Sequence, residues 1–426
     1  MPLIVQKYGG TSVGSPERLR AVADRVVARR RAGDDVVVVV SAMGQATDEL
    51  LALATEVTGR PRPGRAHPRE LDMLLTAGER VSMALLAMAI RERGEEAISF
   101  TGSQAAIITD GSHTAARITE IRAERVRDAV ARGQVVIVAG FQGVSPDREI
   151  TTLGRGGSDT TAVGLAAALG AERCEVYTDV DGVYTADPRR IPGARVIRTL
   201  SHAEMVELAA AGAQVMHPRA IEIAARFDVA VRVLSSFMDP ETDPEAAGTL
   251  IVSKPDHMEG LVLTGIAALP GQAKLTLYDL PSGLRIATDV LRGIAEAGVS
   301  VDMISEAPGP SGMKLQISVM EDDLDEARAV CRQVVERLGG GGVDETSGLT
   351  RITLVGSGMH DAPGVYARIF ETLLEVDSDL HGVSTSAISI TVLVPSEHAQ
   401  RAMRGLHDAF ELEGAGAVPS EVAGEG

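Results

Sequence analysis

Two short glycine-rich stretches carry residue types suited to phosphate chemistry. The first, Lys7-Tyr8-Gly9-Gly10-Thr11-Ser12, follows the apolar run Leu3-Ile4-Val5. The second, Gly154-Arg155-Gly156-Gly157-Ser158-Asp159-Thr160-Thr161, comes after the run Val135-Val136-Ile137-Val138-Ala139 and leads into an apolar helix, Val163 to Leu169. A glycine turn between strand and helix lets backbone N–H groups converge on an anion. Arg155 adds a planar fork matched to a carboxylate or phosphate. Glycine spacing alone fits a tight turn with a solvated arginine equally well. The lysine shifts that balance. Only four lysines (Lys7, Lys254, Lys274 and Lys314) stand among 41 basic residues, so one placed before two glycines reads as a compact ammonium meant for phosphate oxygens. Neither stretch is a Walker loop, and no Gly-x-Gly-x-x-Gly opens the chain.

The elements that must position these residues alternate in type. Ser15-Pro16-Glu17 pairs an N-cap with proline at the first helical position, and the helix predicted from it runs through Leu19, Val22, Val26 and Val27 to Gly33. Val36 to Val40 reads as a strand buried on both faces, with Ser41 to Gly44 at its C-terminal end, where open α/β sheets bind ligands. Residues 59–68 read as a proline-rich loop, and a helix is expected from Glu70 to Arg93. Glu79 lies inside it among leucines, as either a solvated outer-face residue or a positioned ligand. A helix over 116–132, strands at 135–139 and 174–178, a helix at 202–211 and a strand from Val229 to Leu234 complete an α/β sandwich with a largely parallel sheet.

An acidic, proline-bearing linker begins at Met238. Beyond it a repeat appears, with Leu275-Thr276-Leu277 opening one unit and Ile352-Thr353-Leu354 the next, and Gly339 to Gly342 as a flexible join. The expected division is a catalytic domain over 1–237, a linker over 238–258, and two βαββα modules over 259–345 and 346–426. A net charge of −18 argues against nucleic acid or an anionic membrane as partner. Cys174 and Cys331 give no disulfide framework, and no zinc-spaced His/Cys cluster is present; a cytoplasmic protein is expected.

Four ordered blocks resemble aspartate kinases: the Lys7 to Ser12 start, Val40-Ser41-Ala42-Met43-Gly44, the block from Gly154 to Thr161, and Tyr177-Thr178-Asp179-Val180-Asp181-Gly182-Val183-Tyr184-Thr185-Ala186-Asp187-Pro188-Arg189. The C-terminal repeat is similar to the paired ACT modules of that family. The resemblance implies an amino-acid-kinase three-layer sandwich carrying two ferredoxin-like ACT modules, the first often inserted in the second. It implies ATP-dependent phosphorylation of the L-aspartate side chain, the first step toward lysine, threonine and methionine. Such a reaction needs no general base, because the carboxylate nucleophile is already ionised.

By resemblance, Lys7 neutralises the transferring phosphoryl group, with Gly9, Gly10 and Ser41 lining the phosphates. Glu79 holds the substrate α-ammonium and Arg155 its α-carboxylate, with Thr47 and Ser41 nearby, while Asp159 organises the reacting centre. Thr178, Asp179, Tyr184 and Arg189 match nucleotide contacts. Mg²⁺ comes with ATP and no dedicated protein metal site is visible. An amino-acid effector at the ACT interface and a homodimer or higher oligomer through the ACT modules are further implications. His202 and His217 read as structural.

Two departures stand out. Gln214 replaces a family lysine, leaving Arg219 as a neighbouring cation able to substitute. The first ACT turn reads Leu280-Pro281-Ser282-Gly283-Leu284-Arg285, so the family's turn aspartate falls on Ser282 and its Pro-Gly on Leu284-Arg285, while Glu306 stands for a glutamine. The second module keeps Asp361-Ala362-Pro363-Gly364. A kinase of the same fold for another acid such as glutamate, and a catalytically silent amino-acid sensor, are the alternative readings.

Overall fold

The computed structural model describes residues 1–413 apart from 62, 214, 239–243, 245, 256–261, 282–283, 340 and 360–361. Gln214, Ser282 and Asp361 therefore lie outside the described residues, as do the side chain of Arg285 and much of the acidic linker. The chain forms two compact units. One takes Met1–Tyr184 and Val196–Met258; the other takes Thr185–Arg195 and the chain from Glu259 onward.

The first unit is built on an eight-stranded sheet. Its order is Thr199–Ser201, Thr249–Val252, Val231–Ser235, Arg173–Thr178, Leu3–Tyr8, Asp35–Val40, Val135–Ala139 and Ala97–Phe100. Neighbours run parallel except Val231–Ser235 against Thr249–Val252. Val36 to Val40 are all buried, because helices cover both faces and a β-branched run suits that environment. Helix Pro16–Arg31 is capped by Ser15, whose hydroxyl accepts from the Arg18 N–H, with Pro16 at its start. It packs against helix Ala77–Arg91. Helix Gly157–Leu169 carries an unbroken buried run from Gly157 to Ala166, so its small residues let it lie close to the strands.

Several local expectations are corrected. The helix over Glu70 to Arg93 is two helices, Pro68–Leu75 and Ala77–Arg91, joined at Thr76. The proline-rich loop contains a short helical turn, Pro63–Ala66, started by a proline at its permitted first position. The helix over 116–132 shortens to Glu124–Ala131, because Ile118–Ile121 pairs as a strand. That strand belongs to a separate four-stranded sheet with Ile107–Thr109, Gln142–Val144 and Ile150–Thr152. Two short strands thus intervene between Val135–Ala139 and the glycine turn. The presumed linker also contributes Thr249–Val252 to the main sheet.

The second unit has one six-stranded antiparallel sheet, ordered Ile304–Gly309, Gly312–Met320, Gly265–Leu280, Gly342–Val355, Ser389–Pro395 and Gly382–Thr385. Two long strands cross both modules. Gly265 to Pro270 pairs with Thr350 to Val355, and Gln272 to Tyr278 with Gly342 to Leu349, the register shifting around Gly271. One core gathers Leu275, Leu277, Val290, Ile317 and Val335, and the other gathers Ile266, Leu354, Ile369, Val392 and Leu406. Ile266 thus packs with the C-terminal stretch although it lies before the expected boundary at 345. Gly342 is paired strand rather than a flexible join.

The segment Thr185–Arg195 belongs wholly to this second unit. The Ile266 N–H donates to the Thr185 carbonyl at 2.7 Å, and Ala186 and Ile191 are buried in the same core as Ile266. Thr185 Oγ1 lies 3.1 Å from His407 Nε2, and Arg195 Nε donates to the Leu412 carbonyl at 3.0 Å.

Candidate active site

Three neighbouring parallel strands end at one place. Lys7 pairs in register with Val39 on one side and Val176 on the other. Beyond the strand ends the Ser41 N–H donates to the Tyr8 carbonyl at 3.1 Å, the Gly44 N–H to the Gly10 carbonyl at 3.0 Å, and the Gly9 N–H to the Tyr177 carbonyl at 3.4 Å. These bonds bind Gly9, Gly10 and Ser41 into one cradle at the C-terminal edge of the sheet. Lys7 Nζ reaches Asp159 Oδ1 at 2.7 Å, and Asp159 sits in the first turn of helix Gly157–Leu169. An acid there is favoured by the helix dipole.

Glu79 faces inward, which removes the outer-face reading. It is 3% exposed, and its Oε1 accepts from the Ala42 N–H at 3.3 Å. Its Oε2 is buried and finds no hydrogen-bond partner among the described residues. Burial pushes its carboxyl up to about 7. Gly78 permits this approach, since a Cβ there would lie 2.7 Å from the Ala42 Cβ. A buried acid with one oxygen unpaired is costly until a partner satisfies it.

The remaining expected residues are placed less uniformly. Thr47 is half-buried in the first turn of helix Ala46–Thr58, after the Ser41 to Gly44 loop. Arg155 is exposed on the turn leading to Asp159. Thr178 ends its strand and donates from Oγ1 to Asp179 Oδ1 at 3.2 Å, and Tyr184 Oη donates to Asp181 Oδ2 at 3.1 Å. Arg189 falls in the second unit, exposed and paired with Asp187 at 3.0 Å, so the fourth sequence block is divided between the units. Arg219 is not a free cation standing in for Gln214: its guanidinium donates to the carbonyls of Leu153 and Ala116.

The sequence reading passed over three groups. Asp72 is fully buried and accepts from Thr152 Oγ1 at 2.5 Å and the Thr114 N–H at 3.1 Å, with His113 Nδ1 at 2.6 Å. A lone acid between Leu71 and Leu74-Leu75 is the signal that could have marked it. Glu175, buried between Leu3–Tyr8 and Val231–Ser235, is paired with Arg173 at 3.0 Å and accepts from Gln6 and Tyr177. Phe141 holds φ at +68°, a strained value for a bulky side chain, at the end of the strand beside Asp159's helix. No spacing in the sequence signals that conformation.

The fold and the lysine–glycine cradle define a member of the amino acid kinases, and residues 2–235 match the amino acid kinase family while residues 352–410 match an ACT domain. Among curated relatives, the aspartokinase of Mycolicibacterium smegmatis is 46% identical over 429 residues, covering 97% of each chain. Aspartokinase 2 of Bacillus subtilis is 44% identical over 412 residues, covering 97% of this chain and 98% of the relative. Escherichia coli aspartokinase III, solved with aspartate and ADP, superposes with a TM-score of 0.78 at 27% identity, covering 96% of this chain and 99% of the other. The chain belongs to the aspartokinase family.

Proposed function

We propose that this protein transfers the γ-phosphoryl group of ATP to the side-chain carboxylate of L-aspartate, giving 4-phospho-L-aspartate and ADP. A carboxylate oxygen attacks the γ-phosphorus as the bond to the β–γ bridging oxygen breaks, and that oxygen leaves with ADP. The observation that carries the reading is the convergence of the Lys7–Asp159 pair and the half-satisfied Glu79 carboxylate on one strand-end cradle. Lys7 meets the transferring group, the Gly9-Gly10 and Ser41 region lines the phosphates, and Asp159 orders Lys7 before substrate arrives. Glu79 takes the α-ammonium through Oε2 and Arg155 the α-carboxylate, with Thr47 bordering the same pocket. Thr178, Asp179 and Tyr184 serve the nucleotide. Positioning and charge are all the chemistry requires, because the nucleophile is already ionised.

Mg²⁺ arrives with ATP as part of the substrate, held by phosphate oxygens and water. Among the described residues the one grouping of three or more acidic, histidine or cysteine ligands is His407, Asp408 and Glu413 in the second unit. A second copy pairs through the ACT sheet, whose outer strands Ile304–Gly309 and Gly382–Thr385 leave exposed edges. An amino-acid effector site is assigned to the same module, since E. coli aspartokinase III was also solved with lysine and aspartate. An ATP-dependent hydroxamate assay with aspartate, glutamate or no acid tests the reaction. Aspartate-dependent product supports it, and turnover with glutamate alone refutes it.

A further inference from the structure

We infer that Arg219 and Asp72 are positioning residues that fix the turn carrying Arg155, and so set the geometry of substrate-carboxylate recognition. The inference rests on the reading of Arg155 as the carboxylate-binding residue. Arg155 is exposed, and its side chain makes no hydrogen bond among the described residues. With no side-chain hydrogen bond to hold it, its reach depends on the backbone on either side of it. That backbone is gripped at both ends.

On the near side, two consecutive residues are tied by opposite charges. Asp72, fully buried, accepts from the Thr152 hydroxyl at 2.5 Å. Arg219 Nη1 donates to the Leu153 carbonyl at 2.8 Å and Nη2 to the Ala116 carbonyl at 3.0 Å. The two grips share a second strand of chain: the Ala116 N–H donates to the Thr152 carbonyl at 2.9 Å, while Asp72 also holds the Thr114 N–H. On the far side, His217 closes against Gly156, where a Cβ would lie 2.2 Å from the His217 Cβ and φ is +70°. No side chain larger than hydrogen fits there. His217 Nδ1 in turn accepts from the Arg219 N–H at 3.3 Å. Residues 217–219 thus touch the turn before and after Arg155.

Helix stability does not account for Arg219. It stands in the first turn of helix Pro218–Phe227, where the helix dipole disfavours a cation. Burial and neighbouring Arg117 push its guanidinium below its ordinary range. A cation kept under those conditions answers to the two carbonyls it holds. A bidentate fork such as Arg155 tolerates little displacement, so a loosened turn weakens carboxylate binding while leaving the Lys7 cradle in place.

The test compares Arg219→Gln and Thr152→Val with Arg155→Lys, measuring KM for aspartate and for ATP, kcat and Tm on the full chain. Both clamp variants should raise KM for aspartate by about 10-fold or more, with KM for ATP within about twofold. Added guanidinium ion should restore part of the aspartate affinity of Arg219→Gln. If Arg155→Lys raises KM for aspartate but folded Arg219→Gln and Thr152→Val do not, the clamp is overturned and the Arg155 assignment stands. Equal rises in both KM values with no guanidinium rescue would reduce Arg219 to a fold-stabilising residue and overturn it as well. If Arg155→Lys itself keeps the parent value, the assignment of Arg155 fails and the inference falls with it.

Discussion

Lys7 Nζ and Asp159 Oδ1 lie 2.7 Å apart, their side chains only 13% and 11% exposed, joining the end of a central strand to the first turn of a helix. The pair holds the ammonium in a defined place without quenching it, since an incoming triphosphate presents far more negative charge than one carboxylate. Lys7→Ala should therefore lower kcat by about 10²- to 10³-fold. The readout is steady-state turnover on protein whose circular dichroism matches the parent. Parent-like kcat would remove Lys7 from the reaction.

Glu79 predicts a pH dependence with a definite sign. Its carboxyl is raised from 4.5 to about 7 in the folded protein, so the folded state keeps a proton that the unfolded state has lost. The contribution of this group to stability therefore falls as pH rises between those two values, and the cost is fully present above about 7. An α-ammonium needs the ionised form, so KM for aspartate should fall as pH rises through about 7, with KM for ATP changing less. Glu79→Gln should flatten both the stability slope and the KM profile. Measurement of each from about pH 6 to about pH 8 checks the point; a level aspartate profile in the parent contradicts it.

Arg155→Lys should raise KM for aspartate about 10-fold or more, because a point ammonium cannot reproduce a two-point fork. Succinate, which lacks the α-ammonium but keeps two carboxylates, should compete better against Glu79→Gln than against Arg155→Lys. Identical inhibition constants for the two variants would show that the carboxylate and ammonium partners have been misassigned.

The first ACT module predicts weak feedback. Glu306 lines a small pocket otherwise made of Leu280, Pro281, Ile286, Ala287, Met313 and Leu315. It is the single carboxylate there among the described residues, and it lies on an exposed strand. One exposed acid against an apolar lining offers an amino-acid ammonium little grip. Lysine and threonine, singly or together at millimolar concentration, should leave most activity intact. Strong concerted inhibition would show that the altered turn still forms an effector site.

The parts legible in the sequence are those where one residue type answers to one local requirement. Val36 to Val40 announces a doubly covered strand, and the apolar run Leu3-Ile4-Val5 before Gly9-Gly10 announces a strand ending in a glycine turn. Glu79 stayed ambiguous because helical spacing says which residues share a face, not which face meets the core. Asp72 was passed over, and the contacts of Arg219 and His217 were not foreseen, for a different reason: their partners lie 80, 66 and 61 residues away, at Thr152, Leu153 and Gly156. The strand shared by two cores was not legible, since no local feature tells one 16-residue strand from two shorter ones.

The eleven residues from Thr185 to Arg195 set a rule for anyone recombining these enzymes. They sit in sequence inside the kinase half, yet Ala186 and Ile191 fill the core of the second unit and the Thr185 carbonyl completes the pairing of Ile266. A hybrid cut at residue 258 would give a foreign regulatory half a plug shaped for another socket. Expressed alone, the kinase half would carry two apolar side chains with nowhere to go. The workable crossover exchanges 185–195 together with everything after 258, so that the hydrophobic insert and its receptor travel as one piece.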